Sequence, residues 1–307
     1  MACDPFLRIG IIGMDTSHVP AFTKLFHDPA AAGDLSGFRV VAGLPDGSDT
    51  PMSRDRIEAF TKETRELGVE IVDSVEALVE RSDRLMILSV DGRIHLRQAK
   101  ALFAAGKPVF VDKPVAGTLA ECLALYGLAA DLGIPCFSAS STRFGPRIVD
   151  PAWRSEAGRV LGATSWGPLA YQAGQPELFF YGIHGIEALF TAMGPGCRSV
   201  TRVKTPFHDL VTGKWSDGRV GVYRGLLQGE KPYGLAIHGE QSTVNLAEEP
   251  SYEALCLEIG RFFKTGVPPV SAAETLEIYA FMEAADESLR RGGASVELAE
   301  VMAKAAG

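Results

Sequence analysis

From Leu7 to Ser138, short apolar runs alternate with amphipathic stretches. The apolar runs, each typical of a buried β-strand, are LRIGIIG, FRVVAGL, RLMILSV, KPVFVD and IPCFS. The stretches between them have helical periodicity and end at glycines, as in HLRQAKALFAAG, which stops at Gly106. Strand–helix repetition at this spacing predicts right-handed βαβ units, and therefore a doubly wound Rossmann domain over residues 1–138 of an α/β chain.

After Phe144 the pattern changes, because strands now follow one another in series. The predicted strands are RVLGATSW, CRSVTRVKT, HDLVTGKW, RVGVYRGLL, YGLAIHG and STVNLAE. Three helical segments accompany them: GIHGIEALFTAMG, SYEALCLEIGRFFKTG and SAAETLEIYAFMEAADESLRRGG. Residues 139–307 are therefore expected to form a second, α+β domain with an open, mostly antiparallel or mixed sheet.

Composition narrows the class of protein. With 46% hydrophobic and 22% charged residues, the 307-residue chain resembles an ordinary globular protein, and its net charge of −8 disfavours nucleic acid as a partner. We expect no signal peptide and no membrane span, because no apolar run approaches about 18 residues. The five cysteines form no Cys/His cluster, so we expect reduced thiols, a cytoplasmic location and no metal; they are Cys3, Cys122, Cys136, Cys197 and Cys256.

The turn after the first strand is the first candidate site. It presents backbone N–H groups and the positive end of a helix dipole, which suit a pyrophosphate, so its residues are predicted to bind a dinucleotide: Gly13, Asp15, Thr16, Ser17 and His18. Only Gly13 fits the G-x-G-x-x-G fingerprint, because Asp15 and His18 take the second and third glycine positions. We expect Asp15 or Ser17 to cap the helix, which would turn the carboxylate away, and His18 either to donate to a phosphate or to pack.

The end of the second strand provides a candidate for the adenosine ribose. Asp46 lies one place beyond the usual acidic position, and Asp46-Gly47 is also a plain turn sequence. Arg54 and Arg56 follow and could instead meet a 2′-phosphate. The choice between NAD and NADP therefore stays open.

Three ordered segments carry a family resemblance. The segment from His95 onward, HLRQAKALFAAGKPVFVDKPVAG, contains Asp112-Lys113-Pro114; STRFGP surrounds Arg143; and YGIHGIEAL contains His184. Together with the first strand, this set resembles the glucose–fructose oxidoreductase and inositol dehydrogenase (Gfo/Idh/MocA) family, whose corresponding motifs are Glu-Lys-Pro and D-x-G-x-H-x-x-D.

The resemblance implies an NAD(P)-dependent oxidoreductase acting on a sugar, a polyol or a related small alcohol or ketone. It implies that Lys113 lies near the nicotinamide and the substrate hydroxyl, and that His184 is the active-site histidine. Further expected coenzyme contacts are Ser89, Val90, His95 and Asp112, and further expected substrate contacts are Arg143, Tyr171, Tyr181 and Glu187. The resemblance also implies a homo-oligomer, a dimer or a tetramer, formed through the open sheet.

One departure leaves the chemistry open. The family's catalytic aspartate, four residues before the histidine, falls on Phe180. Tyr181 or Glu187 could substitute for it, Glu187 could merely orient His184, or Lys113 and His184 could suffice. Two competing hypotheses remain: a dinucleotide- or sugar-binding protein without catalysis, and a redox-neutral lyase or hydrolase that uses NAD transiently.

Overall fold

The structure is a computed structural model that describes residues 6–248 and 250–307; Cys3 lies outside them. The first half of the chain contains β1 Leu7–Ile12, α1 His18–His27, β2 Phe38–Leu44, α2 Pro51–Glu66, β3 Glu70–Ile71, α3 Val75–Arg81, β4 Arg84–Ile87, α4 His95–Phe103, β5 Val109–Val111, α5 Leu119–Asp131 and β6 Cys136–Phe137. The second half contains α6 Pro146–Val149, α7 Ala152–Ala157, β7 Val160–Pro168, α8 Glu177–Phe180, α9 Gly182–Met193, β8 Cys197–Lys204, β9 His208–Trp215, β10 Val220–Leu226, β11 Tyr233–Gly239, β12 Thr243–Glu248, α10 Tyr252–Thr265, α11 Ala272–Arg290, β13 Val296–Glu297 and α12 Leu298–Ala306.

The chain divides into two compact units. The first comprises residues 6–117, 124–139 and 252–272, and the second comprises 118–123, 140–251 and 273–307. The change of unit at 139/140 lies next to the predicted domain boundary. Residues 252–272 differ from the prediction, because α10 packs with the first unit rather than the second.

The first unit is built on a six-stranded sheet of order β3-β2-β1-β4-β5-β6 with only parallel pairs. This is the doubly wound Rossmann order. Strands are added toward one edge of the sheet from β1 to β3 and toward the other edge from β4 to β6, so the order of the strands reverses between β1 and β4. Ile11 and Ile12 are neighbours on β1 and point to opposite faces, and both are fully buried, as a sheet covered on both faces requires. The turn after β1 therefore lies at the switch point, the place where such sheets bind ligands.

The second unit contains a seven-stranded sheet of order β12-β11-β7-β10-β9-β8-β13, in which β7–β10 is a parallel pair and the other pairs are antiparallel. Helix α9 packs on one face so closely that a Cβ at Gly185 would lie 2.4 Å from the Tyr223 ring. The predicted fold class, a Rossmann domain followed by a mixed-sheet domain, is confirmed.

The sequence prediction missed β3, α3, α6, α7, α8, β13 and α12. All but α12 have seven residues or fewer and are too short to show periodicity, whereas α12 is as long as the predicted α4. Across residues 6–248 and 250–307, every helix is too short or too polar to span a bilayer. The four described cysteines are buried thiols that take part in no disulfide.

Candidate functional site

The turn after β1 is closed around a glycine. Gly13 has φ +88°, and a Cβ there would lie 2.1 Å from Ser89 Oγ and 2.4 Å from Ser89 N. The first turn and the loop after β4 can approach this closely only because Gly13 has no side chain. Beyond it, the backbone N–H groups of Thr16 and Ser17 meet no acceptor in the described part of the chain, and Ser17 is exposed.

Asp15 connects the turn after β1 to helix α2 and to the loop after β4, and it does not cap α1. Its Oδ2 accepts from Ser53 Oγ at 2.5 Å, and its Oδ1 accepts from Val90 N at 2.8 Å, with the residue fully buried. Ser17 occupies the N-cap position of α1 but makes no side-chain cap bond. The expectation that Asp15 or Ser17 caps the helix is therefore wrong, although the carboxylate does turn inward. Burial raises the pKa of Asp15, against the opposing hydrogen bonds from Ser53 and Val90.

His18 forms a buried pair with Asp112. Its Nδ1 lies 2.6 Å from Asp112 Oδ2, while Asp112 Oδ1 accepts from the backbone N–H of Lys113 at 2.8 Å. The imidazole stacks on Phe22 and meets the edge of Tyr252. Burial raises the pKa of Asp112, but His18 and Lys113 outweigh it, and the pKa lies below its ordinary value. Asp112 is therefore a carboxylate, and His18 donates Nδ1–H to it.

Asp46 is held by residues of α4. One carboxylate oxygen accepts from Arg97 at 2.9 Å and the other from Gln98 at 3.1 Å. The arginine beside Asp46 is thus Arg97 rather than Arg54 or Arg56, which are exposed on α2. The carboxylate remains about one quarter exposed, at 23% of its side-chain surface.

His95 is a buried, neutral residue of the same region. Its Nε2 lies 2.8 Å from the carbonyl oxygen of Ser89. Burial lowers the pKa of His95, so Nε2 carries the proton and donates it. Its Nδ1 is buried without a partner among the described residues. These contacts fix the loop that carries Ser89 and Val90.

Lys113 leaves the carboxyl end of β5 with its side chain half-buried. Burial lowers the pKa of Lys113, and the adjacent Asp112 partly counteracts this. A lysine with a lowered pKa exchanges protons more readily near neutral pH.

His184 lies in the first turn of α9 within a chain of hydroxyl groups. Its Nδ1 is 2.6 Å from Ser140 Oγ, Ser140 Oγ is 2.8 Å from Thr142 Oγ1, and Thr142 Oγ1 donates to the His184 carbonyl at 2.6 Å. Tyr181, predicted to contact substrate, meets the imidazole edge-on with ring centroids 5.3 Å apart. Phe180 is buried at the end of α8.

The hydrogen bond that orients His184 comes from Ser140, not from Glu187. The Glu187 carboxylate accepts instead from Ser140 N at 3.3 Å and from Arg143 at 3.0 Å. Burial raises the pKa of Glu187, against the opposing charge of Arg143. Arg143 also pairs with Glu274, so this predicted substrate contact already has two carboxylate partners.

Tyr171, the remaining predicted substrate residue, is attached to a second charged cluster. Its hydroxyl donates to Asp209 at 2.9 Å, and Lys204 Nζ lies 4.0 Å from its ring centroid. Asp209 in turn pairs with the fully buried Arg202, which also contacts Asp286. Burial raises the pKa of Asp286 to about 6, against the opposing charge of Arg202.

Several of these residues escaped the sequence analysis: Ser53, Arg97, Gln98, Ser140, Thr142 and Asp209. Ser140 directly precedes the quoted STRFGP segment, so adjacency was its only sequence signal. Across the described ranges, no group of three His, Cys, Asp or Glu side chains is placed to hold a metal ion.

Comparison with known proteins gives a family match. Residues 7–139 match the GFO_IDH_MocA model, described as an oxidoreductase family with an NAD-binding Rossmann fold. Inositol 2-dehydrogenase 1 of Saccharopolyspora erythraea is 30% identical over 161 residues, which are 50% of this chain and 42% of that protein. Inositol 2-dehydrogenase of Cereibacter sphaeroides is 34% identical over 113 residues, 36% of this chain and 29% of that protein. The chain thus spans less than half the length of these curated relatives.

Solved structures extend the likeness of fold to both units. Scyllo-inositol dehydrogenase from Lactobacillus casei, solved with NAD(H) and scyllo-inositol, has a TM-score of 0.75 at 15% identity, covering 96% of this chain and 99% of that one. The sheet order, the Asp112-Lys113-Pro114 motif and the family model agree. Residues 7–139 thus match the Gfo/Idh/MocA oxidoreductase family model, and both units share the fold of the solved dehydrogenase.

Proposed function

We propose that this chain is an NAD(P)-dependent oxidoreductase that transfers hydride between its coenzyme and a polyol or sugar-like substrate. The observation that carries the proposal is Lys113, which leaves the carboxyl end of β5 in a sheet whose sequence matches an NAD-binding model. The curated relatives named above are inositol dehydrogenases, so a cyclic polyol is the first substrate to test.

The residues of the first unit fit a dinucleotide. Gly13 allows the tight turn, and the unpaired N–H groups of Thr16 and Ser17 suit a pyrophosphate. We propose that His18 adds a side-chain donor to the same phosphates, because Asp112 holds its Nδ1 and leaves Nε2 without a partner in the described chain. Asp15 does not oppose the anion, because its buried carboxylate is turned toward Ser53 and Val90.

The other coenzyme contacts follow from position. Asp46 would exchange Arg97 and Gln98 for ribose hydroxyls, which favours NAD, whereas Arg97 alone could meet a 2′-phosphate. Ser89, Val90 and His95 belong to the loop at the carboxyl end of β4 and complete the predicted contacts. We assign coenzyme binding to the predicted domain 1–138 and substrate binding to 139–307.

The proposed chemistry divides between two groups. The coenzyme, when bound, supplies the hydride acceptor or donor. Lys113 stabilises the negative charge that develops on the substrate oxygen. His184 accepts the hydroxyl proton as general base. Because Phe180 replaces the family's aspartate, we propose that these two groups suffice. Tyr171 and Tyr181 are proposed to contact substrate, whereas Arg143 and Glu187 support the site through their buried ion pair.

Replacement of Lys113 tests the proposal. Lys113→Met should lower kcat by on the order of 10²-fold or more, because the charge on the substrate oxygen loses its partner. The reduced nicotinamide absorbance, followed with inositols and other polyols, measures this. Lys107→Met, a lysine on the same unit that donates to backbone carbonyls, is the matched control. Near-wild-type turnover in Lys113→Met would refute the assignment.

We also propose a cytoplasmic homo-oligomer, a dimer or a tetramer. The side chains that point away from α9 on the second sheet include Thr164, Val222 and Thr212, paired across neighbouring strands. Val203 and Val220 on this sheet are 56% and 44% exposed. A mixed surface of this kind suits a second copy of the chain. Light scattering on the purified protein would find a single monomeric mass if the proposal is wrong.

A further inference from the structure

The Ser140–Thr142–His184 chain of hydrogen bonds determines which nitrogen of His184 carries the proton. Thr142 has one hydroxyl hydrogen, and it donates this to the His184 carbonyl at 2.6 Å, since a carbonyl has none to offer. The 2.8 Å contact between the hydroxyls of Ser140 and Thr142 must therefore use the hydrogen of Ser140. The remaining contact, Ser140 Oγ to His184 Nδ1 at 2.6 Å, then needs a hydrogen on Nδ1.

Ser140 Oγ is fully satisfied in this arrangement. It donates to Thr142 Oγ1, and it accepts from His184 Nδ1 and from the backbone N–H of Thr142 at 3.2 Å. All three residues are at least nine-tenths buried, with exposures of 0%, 2% and 9% for Ser140, Thr142 and His184. Water therefore competes little for these bonds, and the alternative pattern would leave a buried acceptor without its donor.

We infer that Ser140 and Thr142 act as positioning residues that hold His184 in the Nδ1–H tautomer, so that Nε2 presents the lone pair of a general base. In many catalytic sites a carboxylate does this work by accepting from the other ring nitrogen. Here two neutral hydroxyls and a backbone carbonyl fix the position of the ring proton. Phe180 stands at the position of the family's aspartate. The tautomer follows from the hydrogen bonds alone; its catalytic consequence rests on the proposed function.

Thr142 gives the sharpest test, because its hydroxyl bonds to Ser140 Oγ and to the His184 carbonyl rather than to the imidazole. In Thr142→Val the hydrogen of Ser140 loses its acceptor and can turn to Nδ1, which would move the ring proton to Nε2. Thr142→Ser restores the hydroxyl and should restore the Nδ1–H tautomer. Ser141→Ala changes the buried neighbouring residue outside the hydrogen-bonded chain and is the matched control.

The measurement is a long-range proton–nitrogen correlation spectrum of the full chain labelled with ¹⁵N-histidine, with His184→Asn identifying the signal. Wild type, Thr142→Ser and Ser141→Ala should show Nδ1–H, and Thr142→Val should show Nε2–H. A wild-type Nε2–H signal, or no change in Thr142→Val, would overturn the inference.

Kinetics supply the second readout. Ser140→Ala and Thr142→Val should lower kcat by on the order of 10²-fold while KM changes little, because the base and not the binding is impaired. If the tautomer switches and kcat stays at the wild-type value, the catalytic role is refuted. If wild type shows no redox turnover at all, the proposed function fails, whereas the tautomer result stands by itself.

Discussion

Asp15 provides a quantitative test of the first unit, because a buried carboxylate replaces a glycine of the phosphate-binding fingerprint. In Asp15→Ala, Ser53 Oγ loses its acceptor and the N–H of Val90 loses its partner. An unsatisfied donor costs about 1–3 kcal/mol, but Val90 is partly exposed and water can replace its bond. Burial of the Asp15 carboxylate is itself unfavourable, as its raised pKa indicates. Removing the carboxylate removes this cost and so offsets part of the loss of unfolding free energy. We therefore expect a net loss of roughly 2 kcal/mol of unfolding free energy.

Asp15→Asn is the matched variant. Its amide keeps an oxygen for Val90 N and a donor for Ser53 Oγ, so the loss should stay below about 1 kcal/mol. Urea titration gives the free energies, and the Tm should fall by roughly 4–8 °C in Asp15→Ala. A loss within about 0.5 kcal/mol in Asp15→Ala, or equal losses in both variants, would show that these hydrogen bonds do not hold the turn, helix α2 and the loop after β4 together.

Three further outcomes follow. Gly13→Ala should abolish coenzyme binding or folding, judged by calorimetric titration with NADH, because its φ of +88° and the 2.1 Å approach to Ser89 leave no room for a methyl group. Arg143→Met should lower the unfolding free energy in urea by about 3–5 kcal/mol, since Glu187 keeps a buried charge, and Glu187→Gln should recover part of it. Asp286 has its pKa raised to about 6 in the folded chain, so it binds more protons folded than unfolded, and its contribution to stability falls as pH rises from about 4 to 6. Asp286→Asn should flatten that part of the stability–pH curve, and an unchanged slope would contradict the shift.

The architecture could be predicted because local patterns carry it. Runs such as FRVVAGL and RLMILSV need burial on both faces, and a glycine with positive φ, Gly106, follows α4 where the sequence predicts the end of that helix. Helix α2 was less readable, since Thr61 and Thr64 are buried whereas the apolar Ile57 is only partly covered. Tertiary packing determines which face of α2 is buried, and the periodicity of the sequence does not predict it.

The site was harder to predict because its contacts join distant parts of the chain. His18 and Asp112 are 94 positions apart, and Ser140 and His184 are 44 apart. The sequence marked His18 and His184 as chemical candidates, but it carried no information on which acceptor each nitrogen meets. Asp15 was misjudged for the same reason: a local cap is visible in sequence, whereas a bond to Ser53 is not.

Hydride transfer itself is the most direct test of the account. Myo-inositol and scyllo-inositol deuterated at their ring carbons would be incubated with the full chain and NAD or NADP, and the coenzyme analysed by mass spectrometry. We expect deuterium on the nicotinamide ring of the reduced coenzyme, with strongly reduced labelling in Lys113→Met. A coenzyme that binds, yet gains no label from these or any other tested polyol, would contradict it.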